Sequence, residues 1–262
     1  MKKSIKLFML FFKINWMQEA EFRVNLIVNS AMSVGWAFLM LLFTQIIFGH
    51  VSTIGGWTKQ EVMLLVITQG LSWGLFTISL LPGMDSLSNK IKQGNLDQLL
   101  IKPVSARLLL AVTEQNMDGL LRIPVLVFVL ILKANSFGIT PSLFTFVIYL
   151  LMILLGVFII YNVFFILYTS IFWLVDLSNI GNLNSKIAET AQFPPEAFSL
   201  KVRIFMCFFI PTIFIAAIPT RILLGGPIIL PFLLAIAVAV ITFALSQMFW
   251  NFSLRHYSSA SS

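Results

Sequence analysis

No charged residue occurs between Lys133 and Asp176, and none between Arg221 and Arg255. A helix needs about 20 apolar residues to cross the hydrocarbon of a bilayer, so each gap holds at least one span. In lipid every backbone polar group must be satisfied internally, which makes a helix the form that such runs take. Composition agrees: 59% of the 262 residues are apolar and 10% are charged, where a soluble domain carries about 25% charge. A soluble fold is excluded. The expected fold class is an all-α membrane protein with six transmembrane helices.

The runs place spans at residues 24–48, 62–81, 108–132, 143–174 and 228–250, with a further one inside 176–224. Residues 1–23 are expected to lie at the membrane surface. Lys2, Lys3, Lys6 and Lys13 share one sector of a helical wheel, and Phe8, Phe11, Phe12 and Trp16 lie mostly opposite. That pattern suits a helix in the headgroup plane. It is not expected to be a cleaved signal, since the apolar run 7–12 ends at Lys13 and no small-residue cleavage site follows.

The third span has a clean apolar part only over 123–132, too short to cross alone. The helix is therefore expected to begin near Leu108 and to carry Glu114, Asp118 and Arg122 on one face, four residues apart. Two readings stand: a polar lining of a substrate route, or the overhang of a long helix held by an Asp118–Arg122 pair. Residues 176–192 are also open, either a loop or a polar fifth span. In the second case residues 193–224 form a re-entrant hairpin, broken at Pro194, Pro195, Pro211 and Pro219, since irregular backbone at membrane depth must be buried in protein.

Net charge is +7. No basic, aromatic-interleaved groove accompanies it, so nucleic acid is not expected. In a membrane chain the excess marks the cytosolic side. With the N-terminus inside, only Lys59, Lys133 and Arg221 lie at outer turns, so both termini are expected in the cytosol. Cys207 is a lone cysteine and His50 and His256 are isolated, so neither a disulfide nor a metal site is expected. No Walker A pattern, His-Glu-x-x-His or Gly-x-Ser-x-Gly occurs. The chain is therefore not expected to be an enzyme or to bind ATP or another cofactor itself. Carriers place ionisable groups deep in their spans; here the Glu114–Asp118–Arg122 set is the one candidate, for an ATPase-independent carrier or channel. A Phe-rich interior, with 26 Phe in the chain, suits a hydrophobic or amphipathic cargo.

The polar island 85–107 is the remaining functional feature. It carries Lys90, Lys92, Lys102 and Arg107. Gly94 breaks the chain, and Asn95 is placed to cap a short helix with Asp97 in its first turn. Leu96, Leu99 and Leu100 would form an apolar ridge, and Pro103 stops the helix. Such a piece is either a grip for a cytosolic partner or an interfacial helix with snorkelling lysines. Gly70 and Gly74 form a Gly-x-x-x-Gly pair in the second span, a point of close helix approach.

The island motif, Gly94, Leu96, Asp97, Leu99, Leu100 and Pro103, resembles that of ABC-2 type permeases, in a branch of six-span bacterial permeases of similar length. The resemblance covers nearly the whole chain, including Phe172-Trp173 and the stretches around Pro211 and Pro219. Phe193-Pro194-Pro195 departs from the Tyr-Pro form of that branch. The resemblance implies a permease in the bacterial cytoplasmic membrane that pairs with a second copy or a related permease. It implies a separate ABC ATPase subunit, holding ATP and Mg, on the cytosolic face, with 86–102 as coupling helix. It implies outward transport, a polar fifth span and a re-entrant outer hairpin.

Overall fold

The computed structural model describes residues 2–117, 119–173 and 178–256, with 2–5, 88, 92, 178–181 and 208 described for backbone alone. Asp118, Leu174, Asp176 and the tail beyond His256 lie outside the described residues. Everything described is helix, turn or loop apart from one isolated bridge between Ile54 and Trp57.

The helices are α1 (Lys2–Glu21), α2 (Arg23–Ile47), α3 (Lys59–Ser79), α4 (Leu81–Lys92), α5 (Asp97–Leu100), α6 (Ala106–Thr113), α7 (Arg122–Ser136), α8 (Leu143–Thr169), α9 (Ser178–Thr190), α10 (Leu200–Phe208), α11 (Ala217–Leu223) and α12 (Ile229–His256). Four helical stretches are long and apolar enough to cross a membrane: α2, α3, α8 with its 3-10 extension to Phe172, and α12. A fifth arises if residues 200–207 and 212–223, bent by 72°, count as one span.

Helix α3 is central. It starts at a capping box in which the Thr58 amide donates to Glu61 at 2.7 Å, and 78% of its apolar window is buried against 11% for α2. Leu64, Leu65, Ile67 and Phe76 are shut in a core with Tyr149, Phe164 and Phe165 of α8. A smaller core joins α8, α11 and α12 through Met152, Ile159, Ile222 and Ala235. Helix α1 packs on α6: Asn15 is buried and its amide donates to the Thr113 carbonyl at 3.1 Å.

The single helix expected over 108–132 is instead two, α6 and α7, separated by residues 114–121. The cause is local. Glu114 is extended (φ −120°, ψ 121°), and a polar run ending in Gly119 follows it. The break also has a use. Pro82 has no N–H to give to the Ile78 carbonyl four residues before it, and the Asn116 amide takes that acceptor at 2.9 Å. A buried carbonyl left without a donor would cost about 1–3 kcal/mol. The α3–α4 junction and the α6–α7 break therefore satisfy each other.

Two near approaches order the rest. At Gly83 of α4 an added Cβ would stand 1.6 Å from the Leu110 carbonyl oxygen of α6. At Gly156 of α8 it would stand 2.3 Å from the Phe214 carbonyl oxygen. The second contact brings the 211–216 elbow to the middle of α8. On the other side of the elbow, Ser72 of α3 donates to the Ile215 carbonyl at 2.6 Å, about 20 Å along α3 from its start. Both limbs of this elbow lead back to the 48–58 turn. Glu196 accepts from the Trp57 indole at 2.8 Å and from Arg221 at 2.6 Å, and Arg221 lies over the Trp57 ring.

Candidate functional site

The island folds as α4, a tight turn, the single-turn α5 and the start of α6. Gly94 takes φ +71°, a backbone state open to glycine. Its amide and that of Asn95 donate to the carbonyls of Ile91 and Lys90 at 3.2 and 2.8 Å, the paired bonds of a Schellman C-cap. Asn95 thus helps to end α4 and is not the cap of α5, whose N-cap position is Leu96. The reason is that glycine at 94 offers a cap to the longer helix before it.

The expected apolar ridge divides. Leu96 and Leu99 are buried in the chain's own core beside Met84 and Leu87. Leu100 and Ile101 face outward, 38% and 83% exposed, followed by exposed Lys102 and Pro103. Asp97 opens α5. Lys90 donates to the Ser86 hydroxyl at 2.7 Å and ion-pairs with Glu114. The Lys92 side chain lies outside the described residues. A cavity of about 630 Å³ opens between α1, α4, α5 and Glu114, lined by Phe11, Asn15, Lys90, Asn95 and Leu99.

Two links tie the island to the spans. Tyr168 of α8 donates its hydroxyl to Asp85 of α4. The Asp85 carboxyl keeps an exposed edge, yet desolvation of the remainder pushes its pKa above the usual carboxylate range. The Tyr168 hydrogen bond opposes that rise and nearby Glu114 adds to it. The second link is Arg107, which leaves α6 for the space between α8 and α12. Its guanidinium donates to Asn162 and, at 3.3 Å, to Gln247. It lies 4.4 Å from the centre of the Phe165 ring and 5.2 and 5.1 Å from those of Tyr161 and Phe243. Among the described residues no carboxylate pairs with it; side-chain amides and aromatic faces hold the charge.

Sequence reasoning counted Arg107 as one more basic residue of the island and missed this role. A signal existed: the spans offer few polar groups, and Asn162, Ser246 and Gln247 are among them. Ser246 also donates to Asn162, at 2.9 Å. That they converge on Arg107 is a matter of tertiary packing.

The Glu114–Asp118–Arg122 stripe is not a face of one helix. Glu114 follows α6 and turns to Lys90, Arg122 begins α7 and donates to Thr77 at 3.3 Å, and Asp118 lies outside the described residues. The expected Asp118–Arg122 pair falls there too. The four prolines sit at breaks or first turns: Pro194 and Pro195 at a 3-10 turn, Pro211 before the Thr212–Phe214 turn, and Pro219 in the first turn of α11. Gly70 and Gly74 receive α7: a Cβ there would meet Leu126 at 2.8 Å and Ile123 at 2.7 Å.

A family model described as "ABC-2 family transporter protein" matches residues 34–261. No curated protein and no solved structure matches the chain.

Proposed function

Because the chain belongs to the ABC-2 family of transporters, and its long apolar helices make it a multi-pass membrane protein, we propose that it is the membrane permease subunit of an ATP-driven exporter. A separate ABC ATPase with its ATP and Mg supplies the energy, and the chain itself carries no catalytic role. Two permeases, copies or relatives, pair in a bacterial cytoplasmic membrane with both termini inside. The six crossings are α2, α3, α6 with α7, α8, α9 and α12. Helix α1 lies at the interface, where exposed Phe8, Met9, Trp16 and Met17 suit lipid. The α10–α11 elbow is a re-entrant hairpin. The return of both limbs to Glu196 supports that reading, as does the Gln69 amide bond to Ala188 of α9 midway along α3.

One observation carries the coupling role. The island presents an exposed apolar and basic tip, Leu100 to Pro103, and its other end is pinned by Arg107 inside the α8–α12 pair. A push on the tip reaches the spans through α4, α6 and Arg107 as one packed unit. Loss of a hydrogen bond to a charged group costs about 1.5–3 kcal/mol, so the unit moves without shedding the pin. A hydrophobic or amphipathic cargo follows from the apolar interior.

The test is affinity purification of the chain together with its ATPase. The wild type is expected to yield two permeases and two ATPases. Ile101→Asp, exposed and so harmless to folding, is expected to cut ATPase recovery at least ten-fold at unchanged permease yield. Normal recovery and transport with that variant would reject the coupling role. Leu99→Asp is unsuitable because Leu99 is core.

A further inference from the structure

A cavity of about 420 Å³ lies between α2, α3, α7 and α9, within the size range of small-molecule sites. Its walls are apolar and aromatic, among them Trp36, Leu41, Ile67, Trp73 and Leu126. Trp36 is 56% exposed on the flank of α2, so the cavity opens sideways to whatever surrounds the bundle. Along α3 it runs from Val66 to Thr77, about 16 Å at helical rise.

Polar groups gather at the Thr77 end and on the α9 wall. Gly74 leaves room for the Arg122 guanidinium, which an added Cβ would approach to 3.0 Å. Arg122 spends one N–H on Thr77. Its buried Nε–H has no partner among the described residues, and neither has the buried side-chain oxygen of Asn184, which lines the same cavity. No described carboxylate pairs with Arg122; Glu189, the acidic residue on the cavity wall, pairs with Lys186 at 3.0 Å. Arg122 is half-buried, and guanidinium geometry favours bidentate binding of phosphate or carboxylate.

We infer that this cavity binds an amphipath with a single alkyl chain and an anionic head, the head on Arg122 and the chain along Trp36, Ile67 and Leu126. The molecule enters from the bilayer past Trp36. The inference rests on the transport reading and deepens it by giving the chemical class of cargo.

The test uses the full chain in phosphatidylcholine nanodiscs, labelled by dodecyl phosphate that carries a photoreactive group in its chain. The expected result is labelling on the peptides that hold Trp36 or Leu126, competed by unlabelled dodecyl phosphate and not by dodecanol. Arg122→Gln should lower the labelling at least ten-fold, and Arg122→Lys should restore part of it. Ala37→Phe, which fills part of the cavity and keeps the Arg122 side chain, should lower it equally and covers the case that Arg122→Gln fails to fold. Equal competition by dodecanol, or labelling indifferent to these variants, overturns the site. Competition by inorganic phosphate alone overturns the amphipath in favour of a simple anion. Labelling needs no ATPase. Absent labelling on a chain that still recovers its ATPase removes the site alone, whereas labelling on a chain that recovers none removes the exporter reading alone.

Discussion

Arg107 and Asp85 are the residues that tie the island to the spans. Arg107→Met keeps much of the side chain's volume and removes the charge, and the Asn162 oxygen keeps its bond from Ser246. Loss of the charged hydrogen bonds costs about 1.5–3 kcal/mol, within the stability of about 5–15 kcal/mol typical of a folded protein. The expected outcome is a folded permease that still binds ATPase and hydrolyses ATP while transport falls at least ten-fold, measured in proteoliposomes. Transport at the wild-type rate would show that the pin is only structural. Asp85 gives a pH prediction. Its folded pKa is raised, chiefly by desolvation, so the folded state holds its proton more tightly than the unfolded one. Stability is then greatest below the ordinary aspartate pKa of about 3.9 and declines as pH rises through the folded value. Asp85→Asn cannot ionise and keeps an acceptor for Tyr168. Its thermal midpoint in detergent should exceed that of the wild type at neutral pH, and the gap should close in acid.

At the level of elements, glycine contacts and breaks decide the packing. Gly83→Ala drives a methyl group into the Leu110 carbonyl, and overpacking of this kind costs about 1–3 kcal/mol or more. Its thermal midpoint should drop by several degrees. Gly35→Ala is the control: nothing lies within 4 Å of the added Cβ in exposed α2, and alanine improves a helix interior by about 0.5–1 kcal/mol. Equal effects of the two would refute the close α4–α6 approach. The long helices were legible because uncharged runs leave no alternative, and α3, α8 and α12 follow them closely. The third span was not legible as drawn. Hydropathy saw that residues 123–132 were short and extended the helix backward, whereas the chain breaks at Glu114. The gain from breaking, a donor for Ile78 beyond Pro82, depends on a contact between segments far apart in sequence. The island was legible as a feature but not in its sides: Leu96 and Leu99 turn inward because α4 and α6 offer them a core.

For the whole molecule the testable matter is topology. On a background with Cys207 replaced, cysteines at Ser52, Ser199 and Pro227 should react with an impermeant reagent from one side of the membrane, and a cysteine at Gln98 from the other. The Glu196 contacts with Trp57 and Arg221 motivate this arrangement. Labelling of Ser199→Cys from the Gln98 side would mean that residues 176–203 form a loop on the island side and that the elbow crosses the membrane.

By itself the sequence determined that the chain is a helical membrane protein, where its longest helices run and that its polar island stands apart. These follow from solvation, because lipid admits no unpaired backbone and few charges. Tertiary structure alone decided which side of the island remains exposed, that Arg107 is held by Asn162 and Gln247, and that Arg122 faces a cavity while Glu114 turns to Lys90. Those outcomes depend on which distant groups meet, and a buried charge or carbonyl takes its partner from packing that no local pattern records.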